Sequence, residues 1–354
     1  MSSLSVSTTL AKAEAPLLPF TRKYLGSKRL LRHWIVDRIC QSVGVPRSFI
    51  DGFCGTGAVG LAMAGRGAAR VTAVDTLRSN CVILRGFLEQ GQKIPAMMGQ
   101  LNALPPIVGY ISESYAGTYF TAENCGRMDA IREEIARWQA NGEITAGEHD
   151  ELLSSFLLAA DRVANTLGQY DAFLKNIDAG NRRGGRHLVD ERVGTPFILR
   201  SLEPIPGINL EVREGDMVAL APSLSADVAY YDPPYNGRQY CDNYHVLENL
   251  ARWEKPPLYG KTRKFDRAML RSPFSQRSRA AEALHRLVAG SRAAHVFLSY
   301  SSEGILSREE ILAILSSRGA PRVMEIPYPV FGNGAGVSVR RSVMELLFHM
   351  ATGK

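Results

Sequence analysis

Paired cysteines, long apolar runs and internal repeats are all missing from this 354-residue chain, and each absence excludes a class of protein. The five cysteines, Cys40, Cys54, Cys81, Cys125 and Cys241, are odd in number and none has C-x-x-C spacing. Neither a zinc site nor a disulfide framework is expected, and a reducing compartment fits the chain. Each thiol reads as a small buried hydrophobe rather than a nucleophile. No apolar run approaches the ~20 residues that a bilayer demands. Residues 1–19 are rich in Ser, Thr and Ala and lack the charged-then-apolar layout of an export signal, so they read as a loose leader. The 32 Gly and 18 Pro are scattered without a period, which removes collagen-like and low-complexity classes.

What is present describes a folded, basic protein. Hydrophobic residues make 45% and charged residues 22%, ordinary for a globular chain. The length suits about two domains, or one large domain carrying an insertion. Lys and Arg number 42 against 35 Asp and Glu, giving a net charge of +7, which is compatible with an anionic partner.

The pattern along the chain opens as a parallel doubly wound sheet. Ser48–Phe53 reads as a strand running into a glycine turn, followed by a helix over Ala58–Ala64. Arg70–Asp75 is a short apolar strand ending in an acid, and Leu77–Leu88 reads as a helix. The alternation stops near Gly91. Helical patches at Ala130–Gln139 and Glu148–Thr166, and a Gly/Arg-rich turn over Gly180–Arg186, show no βαβ rhythm and read as an insertion. Strands return at Asn209–Arg213, Asp227–Tyr231, Ala294–Tyr300, Arg322–Pro327 and Ser342–His349, with a helix at Ser307–Ser317 opened by a Ser307/Glu310 capping box. Phe331-Gly332-Asn333-Gly334 has the chemistry of a turn joining the last two strands.

Two motifs carry chemistry. Gly55-Thr56-Gly57-Ala58-Val59-Gly60 fits G-x-G-x-x-G between a strand and a helix, with Asp75 placed to accept ribose hydroxyls. The same turn serves NAD or S-adenosylmethionine equally, or is only a tight strand-to-helix connection. Asp232-Pro233-Pro234-Tyr235 closes a buried-type strand, at the sheet end where open α/β folds bind ligands. Its prolines supply no N–H donors, so the turn offers a carboxylate and a carbonyl, both acceptors, to a substrate amino group. Tyr235 adds a ring for a flat base. A rigid turn after a core strand is the plainer alternative. Asp216, ending the preceding strand, is either a solvated acid or a cofactor ligand on the same sheet edge as Asp75.

Lys23-Tyr24-Leu25-Gly26-Ser27-Lys28, then Asp51-Gly52-Phe53-Cys54-Gly55-Thr56-Gly57, then Asp232-Pro233-Pro234-Tyr235 together resemble the Dam-type DNA adenine-N6 methyltransferases of the alpha group, many of them linked to restriction-modification. The resemblance spans Phe20 to Phe348. It implies a three-layer Rossmann-like catalytic domain (20–91 and 208–354) with a mostly helical target-recognition region inserted at 92–207, and a reversed last strand. It implies S-adenosyl-L-methionine held by Tyr24, Lys28, Asp51, Phe53, Gly55, Gly57, Asp75 and Asp216, with Lys28 on the cofactor carboxylate. It assigns the target adenine to Asp232, Pro233, Pro234 and Tyr235, and it calls for no metal. The implied partner is double-stranded DNA, with a restriction endonuclease acting separately. The enzyme would be a monomer on DNA in the cytoplasm of a bacterial, archaeal or phage-infected cell, without membrane association.

The basic character has a location. Arg252–Arg292 holds eleven Lys and Arg against three Asp and Glu, directly after the D-P-P-Y turn. Lys261, Arg263, Lys264 and Arg267 are candidate phosphate contacts, with a solvated charged loop as the bland alternative. Residues 91–207 carry 11 Lys and Arg against 15 Asp and Glu, a poor non-specific clamp. Arg182, Arg183 and Arg186 are candidates for reading bases. Three competing readings remain: an NAD-linked oxidoreductase, which gives no reason for the D-P-P-Y turn; a methyltransferase acting on RNA or on cytosine N4; and a non-catalytic DNA-binding regulator.

Overall fold

The computed structural model describes residues 24–88, 91–174, 182–183, 186–187, 191–205, 207–329 and 342–352. The strands are β1 (Ser48–Gly52), β2 (Arg70–Asp75), β3 (Arg182–Arg183), β4 (Arg186–His187), β5 (Leu210–Glu214), β6 (Ser225–Tyr231), β7 (Arg292–Ser301), β8 (Arg322–Pro329) and β9 (Ser342–Ala351). The helices are α1 (Arg32–Val43), α2 (Ala58–Gly65), α3 (Arg78–Arg85), α4 (Ile94–Asn102), α5 (Tyr110–Tyr115), α6 (Ala122–Ala140), α7 (Ala146–Val163), α8 (Met217–Leu220), α9 (Tyr240–Asn243), α10 (His245–Arg252), α11 (Arg277–Gly290) and α12 (Arg308–Ser316).

Seven strands form one sheet in the order β5-β2-β1-β6-β7-β9-β8. The first five run parallel, and β9 runs against both β7 and β8. The reversed last strand is therefore present. The chain leaves β1 for β2 on one side and returns with β6 on the other. The gap between the carboxyl ends of β1 and β6 is the switch point, where such sheets bind ligands.

Alternation along the strands builds three layers. Phe49, Val71, Val228, Tyr230, Phe297 and Leu347 turn to one face and pack with Ile35, Ile39, Val59 and Met63 of α1 and α2. Their neighbours Ile50, Val74, Ala229, Tyr231, Val296 and Leu298 turn to the other, against Leu284, Leu287 and Val288 of α11 and Ile311 and Leu315 of α12. Strands buried on both faces read as continuous apolar runs, which explains why β2 and β6 stood out in the sequence.

The stretch between α3 and β5 contributes α4 to α7, and among the described residues its strands β3 and β4 pair only with each other. These helices share a core with α3 and α10: Val82, Ile83, Phe156, Leu157, Leu247 and Leu250 belong to one cluster. Buried acids tie the layers together. Glu248 of α10 accepts from the backbone N–H of Arg78 (3.0 Å) and Ser79 (2.9 Å), satisfying the first turn of α3. The expected Ser307/Glu310 capping box is present, and Thr145/Glu148 forms a second at the start of α7. The leader 1–19 and the turn Phe331–Gly334 lie outside the described residues.

Candidate active site

The cleft lies over the β1–β6 switch point and opens to solvent, with about 1070 Å³ of empty space counting its open mouth. Its floor is the glycine turn. Phe53 and Gly55 both take left-handed backbone (φ +66° and +53°), which swings the chain sharply from β1 towards α2. A Cβ at Gly55 would lie 2.9 Å from the Tyr24 ring, so only glycine lets these two segments approach. Gly57 (φ +71°) precedes α2, and a Cβ there would meet Leu84 at 2.8 Å, so glycine lets α3 pack close against this turn.

Seven of the eight expected cofactor residues line the cleft: Tyr24, Lys28, Asp51, Phe53, Gly55, Asp75 and Asp216. Asp75 ends β2 and accepts from the N–H of Gly55 and of Leu77, each at 2.8 Å. Burial raises its carboxyl to about 6, against the pull of those bonds. Asp51, next to last in β1, accepts from Gly60 N–H (2.7 Å); burial lifts it to about 7, with Asp232 and Asp75 adding to the rise. Asp216 caps α8 through Val218 N–H (3.0 Å). Tyr24 stacks on Tyr244 (4.6 Å, 11°) and accepts from the Asn80 amide (3.0 Å), which fixes its ring against the glycine turn.

Of the D-P-P-Y turn, Asp232 and Pro234 line the cleft, while Pro233 is buried and Tyr235 stands half-buried beside it. The turn is braced from three sides. Asp232 N–H donates to Gly52 (3.3 Å), Ile305 N–H donates to the Tyr235 carbonyl (2.8 Å), and the Tyr235 ring meets Tyr300 at 67°. Lys28 lies 5.6 Å from the Tyr235 ring centroid. Its ammonium is engaged by two carboxylates, Asp232 at 2.8 Å and Glu345 at 3.3 Å. Burial works to lower this lysine and the two acids more than offset it, so it stays charged. The resemblance places Lys28 on a cofactor carboxylate, and within the protein its ammonium is held by these two acids.

Several wall residues carry no motif. Tyr240 and Met269–Phe274 also line the cleft, and the Phe274 and Phe53 rings meet edge to face (5.2 Å, 82°). Met269–Phe274 come from the stretch that the sequence alone presents as one basic segment, and the structure shows much of its charge paired with acids. Arg252 pairs with Glu248 and Glu214, and Lys255 with Glu133. Helix α11 is drawn onto the sheet by Ala280, Leu284 and Leu287, which carries Arg277 away to pair with Glu310. Of the four phosphate candidates, Lys261 and Arg263 are exposed on a turn closed by Tyr259 and Lys264. Lys264 faces Asp242 at 3.7 Å, and Arg267 is largely covered and bound to the same acid at 2.6 Å. The backbone of Arg182, Arg183 and Arg186 belongs to the β3–β4 ladder; their side chains lie outside the described residues.

Four of the five thiols are buried and Cys40 is partly covered; burial pushes Cys54, Cys81, Cys125 and Cys241 up, away from thiolate chemistry. Among the described residues no group of three or more His, Cys, Asp or Glu converges as a metal site, and no helix is long and apolar enough to cross a membrane.

A family model described as D12 class N6 adenine-specific DNA methyltransferase matches residues 24–314. The chain is 32% identical over 349 residues to modification methylase StsI of Streptococcus sanguinis, covering 93% of this chain and 51% of that protein. It is 31% identical to type II methyltransferase M.NlaIII of Neisseria lactamica (87% of this chain, 92% of that one) and 31% identical to M.FokI of Planomicrobium okeanokoites (86% and 49%). It thus spans about half the length of the StsI and FokI proteins and nearly all of the NlaIII one.

Proposed function

Because the chain belongs to the D12 class of N6 adenine-specific DNA methyltransferases, we propose that it methylates the N6 amino group of a specific adenine in double-stranded DNA. The observation that carries this reading is the position of Asp232 on the cleft wall, at the end of β6 and across from the glycine turn that ends β1.

The cleft suits S-adenosyl-L-methionine. Four carboxylates, Asp51, Asp75, Asp216 and Asp232, line it against Lys28 and Arg271, an acidic excess that favours a cationic ligand. Asp75 retains lone pairs for ribose hydroxyls, Asp216 stands at the far end of the cleft, and Phe53 with Phe274 offers aromatic walls. When bound there, the cofactor supplies an electrophilic methyl group on a positively charged sulfur.

The acceptor base must leave the duplex to enter the cleft. Asp232 and the Pro233 carbonyl accept hydrogen bonds from its amino group. That would draw the nitrogen lone pair out of ring conjugation and leave it free for the methyl that a bound cofactor would supply; as the N–C bond forms the S–C bond would break to a neutral thioether, and the amine would give up a proton. Neither Pro233 nor Pro234 presents a backbone donor that would compete. Tyr235, held by Tyr300 and by its own carbonyl, stacks on the base. Positioning and preorganised acceptors supply the acceleration.

Residues 92–207 are assigned to target recognition, with Arg182, Arg183 and Arg186 as base readers. Lys261 and Arg263 are assigned to phosphates, with Lys264 and Arg267 behind them. A separately acting restriction endonuclease that reads the same site, and a monomeric enzyme working in the cytoplasm, complete the proposal.

The test is transfer of labelled methyl from S-adenosylmethionine to unmethylated genomic DNA, with product nucleosides identified, for the wild type and Asp232→Ala. N6-methyladenine that vanishes in the variant supports the reading, and mapping it yields the site. Label in RNA or in N4-methylcytosine would replace the substrate, and no transfer would leave the fold alone.

A further inference from the structure

Behind Asp232 stands a second buried carboxylate. Glu345 lies near the start of β9, opposite Ser301 of β7, and its side chain is 8% exposed. By strand alternation it shares a sheet face with Leu347, which belongs to the apolar cluster of Tyr230 and Phe297. Its Oε1 meets the Lys28 ammonium at 3.3 Å without an aligned hydrogen bond. Lys28 in turn meets Asp232 at 2.8 Å. The Tyr230 hydroxyl donates to Ser299 (2.8 Å), and Ser299 faces Glu345. A Tyr–Ser–Glu–Lys–Asp chain thus leads from the sheet interior to the cleft. A carboxylate on an apolar face is costly to bury, and a packed hydrophobe would serve stability better.

We propose that Glu345 is a positioning residue for methyl transfer: by sharing the Lys28 ammonium it keeps that charge from neutralising Asp232, and so preserves Asp232 as a strong acceptor for the amino group. The inference rests on the reading of Asp232 given above. With both acids ionised, one ammonium serves two carboxylates. With Glu345 neutral, the ammonium serves Asp232 alone and draws electron density from it. Burial raises the Glu345 carboxyl to about 7, with Lys28 opposing and Asp232 adding to the rise, so this exchange falls near neutral pH. The other groups facing the cluster are Tyr230 and Tyr235 around Lys28, and Asp51 and Tyr240 around Asp232.

The test is single-turnover methyl transfer from labelled S-adenosylmethionine to unmethylated genomic DNA between about pH 5.5 and 8.5, for the wild type and Glu345→Gln. The wild-type rate should rise through an acid limb near neutrality. The variant should be about tenfold slower at the alkaline end and lack that limb, with cofactor affinity unchanged. A wild-type rate and limb in the variant would overturn the proposal, as would a loss confined to cofactor affinity or melting temperature. The ¹³C shift of the Asp232 carboxyl reads the coupling without turnover: the wild type should show a step near neutrality, where Glu345 titrates, that the variant lacks, and the same step in both would count against the role. Glu345→Met, similar in length and apolar, replaces the Gln variant if that one fails to fold. A wild type that transfers nothing to DNA defeats the functional reading and leaves the carboxyl titration to judge Glu345.

Discussion

The rings of Phe274 and Phe53 meet edge to face, 5.2 Å between centroids and 82° between planes, in the lining of the cleft. The contact joins the glycine turn after β1 to a segment more than two hundred residues away in the chain. Phe53 holds a left-handed backbone at φ +66°, and its ring packs against the α11 core. The pair forms an apolar wall whose far side packs into the α11 core.

Phe274→Leu keeps the core filled but removes the ring edge. Edge-to-face pairs contribute about 0.5–1.5 kcal/mol beyond their buried area. That loss falls on folding, so the expected outcome is a melting temperature lowered by a few degrees, with a raised cofactor dissociation constant, read by calorimetry, only if the lost ring edge also touches the cofactor. Unchanged affinity would show that the aromatic wall does not touch the cofactor.

Asp232→Asn is nearly isosteric, yet it exchanges an acceptor-only group for one that also donates. It also leaves Lys28 with Glu345 as its remaining carboxylate partner. Methyl transfer should fall by roughly 10²–10³, while cofactor affinity stays within about twofold. Label incorporation and calorimetry on the same preparation separate the two effects.

Gly55→Ala places a methyl group where Tyr24 already lies, 2.9 Å away, and asks alanine to hold φ +53°. The left-handed backbone alone costs roughly 1–2 kcal/mol. Both a lower melting temperature and a cofactor affinity weakened by about tenfold or more are expected, since Tyr24 can yield only towards the cleft or towards Tyr244. Full affinity in a destabilised variant would mean that the turn gives way before Tyr24 does.

The parts of the site that were legible in the sequence are those whose chemistry is local. Asp51, Gly55, Asp75 and Asp232 each sit at a strand end or in the turn that follows, and a short window of residues fixes that geometry. Glu345 and Phe274 were not legible. Glu345 reaches the site only because β9 is inserted between β7 and β8, and nothing near it in the chain signals that placement. Phe274 lies in a stretch whose charge dominates any reading by composition. The same stretch misled on electrostatics, because Arg252, Lys255, Arg267 and Arg277 find acidic partners that are distant or inconspicuous in the sequence.

The acids of the cleft predict a pH signature of stability. Asp51 titrates at about 7 in the folded protein because it is buried, against about 3.9 in an unfolded chain. The folded state therefore binds the proton more tightly, and this contribution to stability is lost as pH rises from about 4 through 7. His245 and His349, both lowered to about 4 by burial, act with the opposite sign below about pH 6.5. Comparing wild type with Asp51→Asn isolates the acid, since the amide oxygen still accepts from Gly60. Without cofactor, the variant should be the more stable above about pH 7, and the gap should close towards pH 4. A pH-independent gap would mean that Asp51 is ionised throughout.

Lys261 and Arg263 stand exposed on one turn, whereas Arg267 is covered and bound to Asp242. Their replacement should therefore separate DNA affinity from folding. Each phosphate contact removed lowers the slope of log affinity against log salt by about 0.9. The double variant Lys261→Ala with Arg263→Ala should flatten that slope by about 2, at unchanged melting temperature and cofactor affinity. Arg267→Ala should do the reverse. It removes the partner bound to Asp242 at 2.6 Å, leaves Lys264 at 3.7 Å as a weaker one, and lowers the melting temperature with a smaller change in salt slope. Filter-binding isotherms at several salt concentrations, beside thermal melts, distinguish the two. An unchanged slope in the double variant would move the phosphate path away from the 259–264 turn.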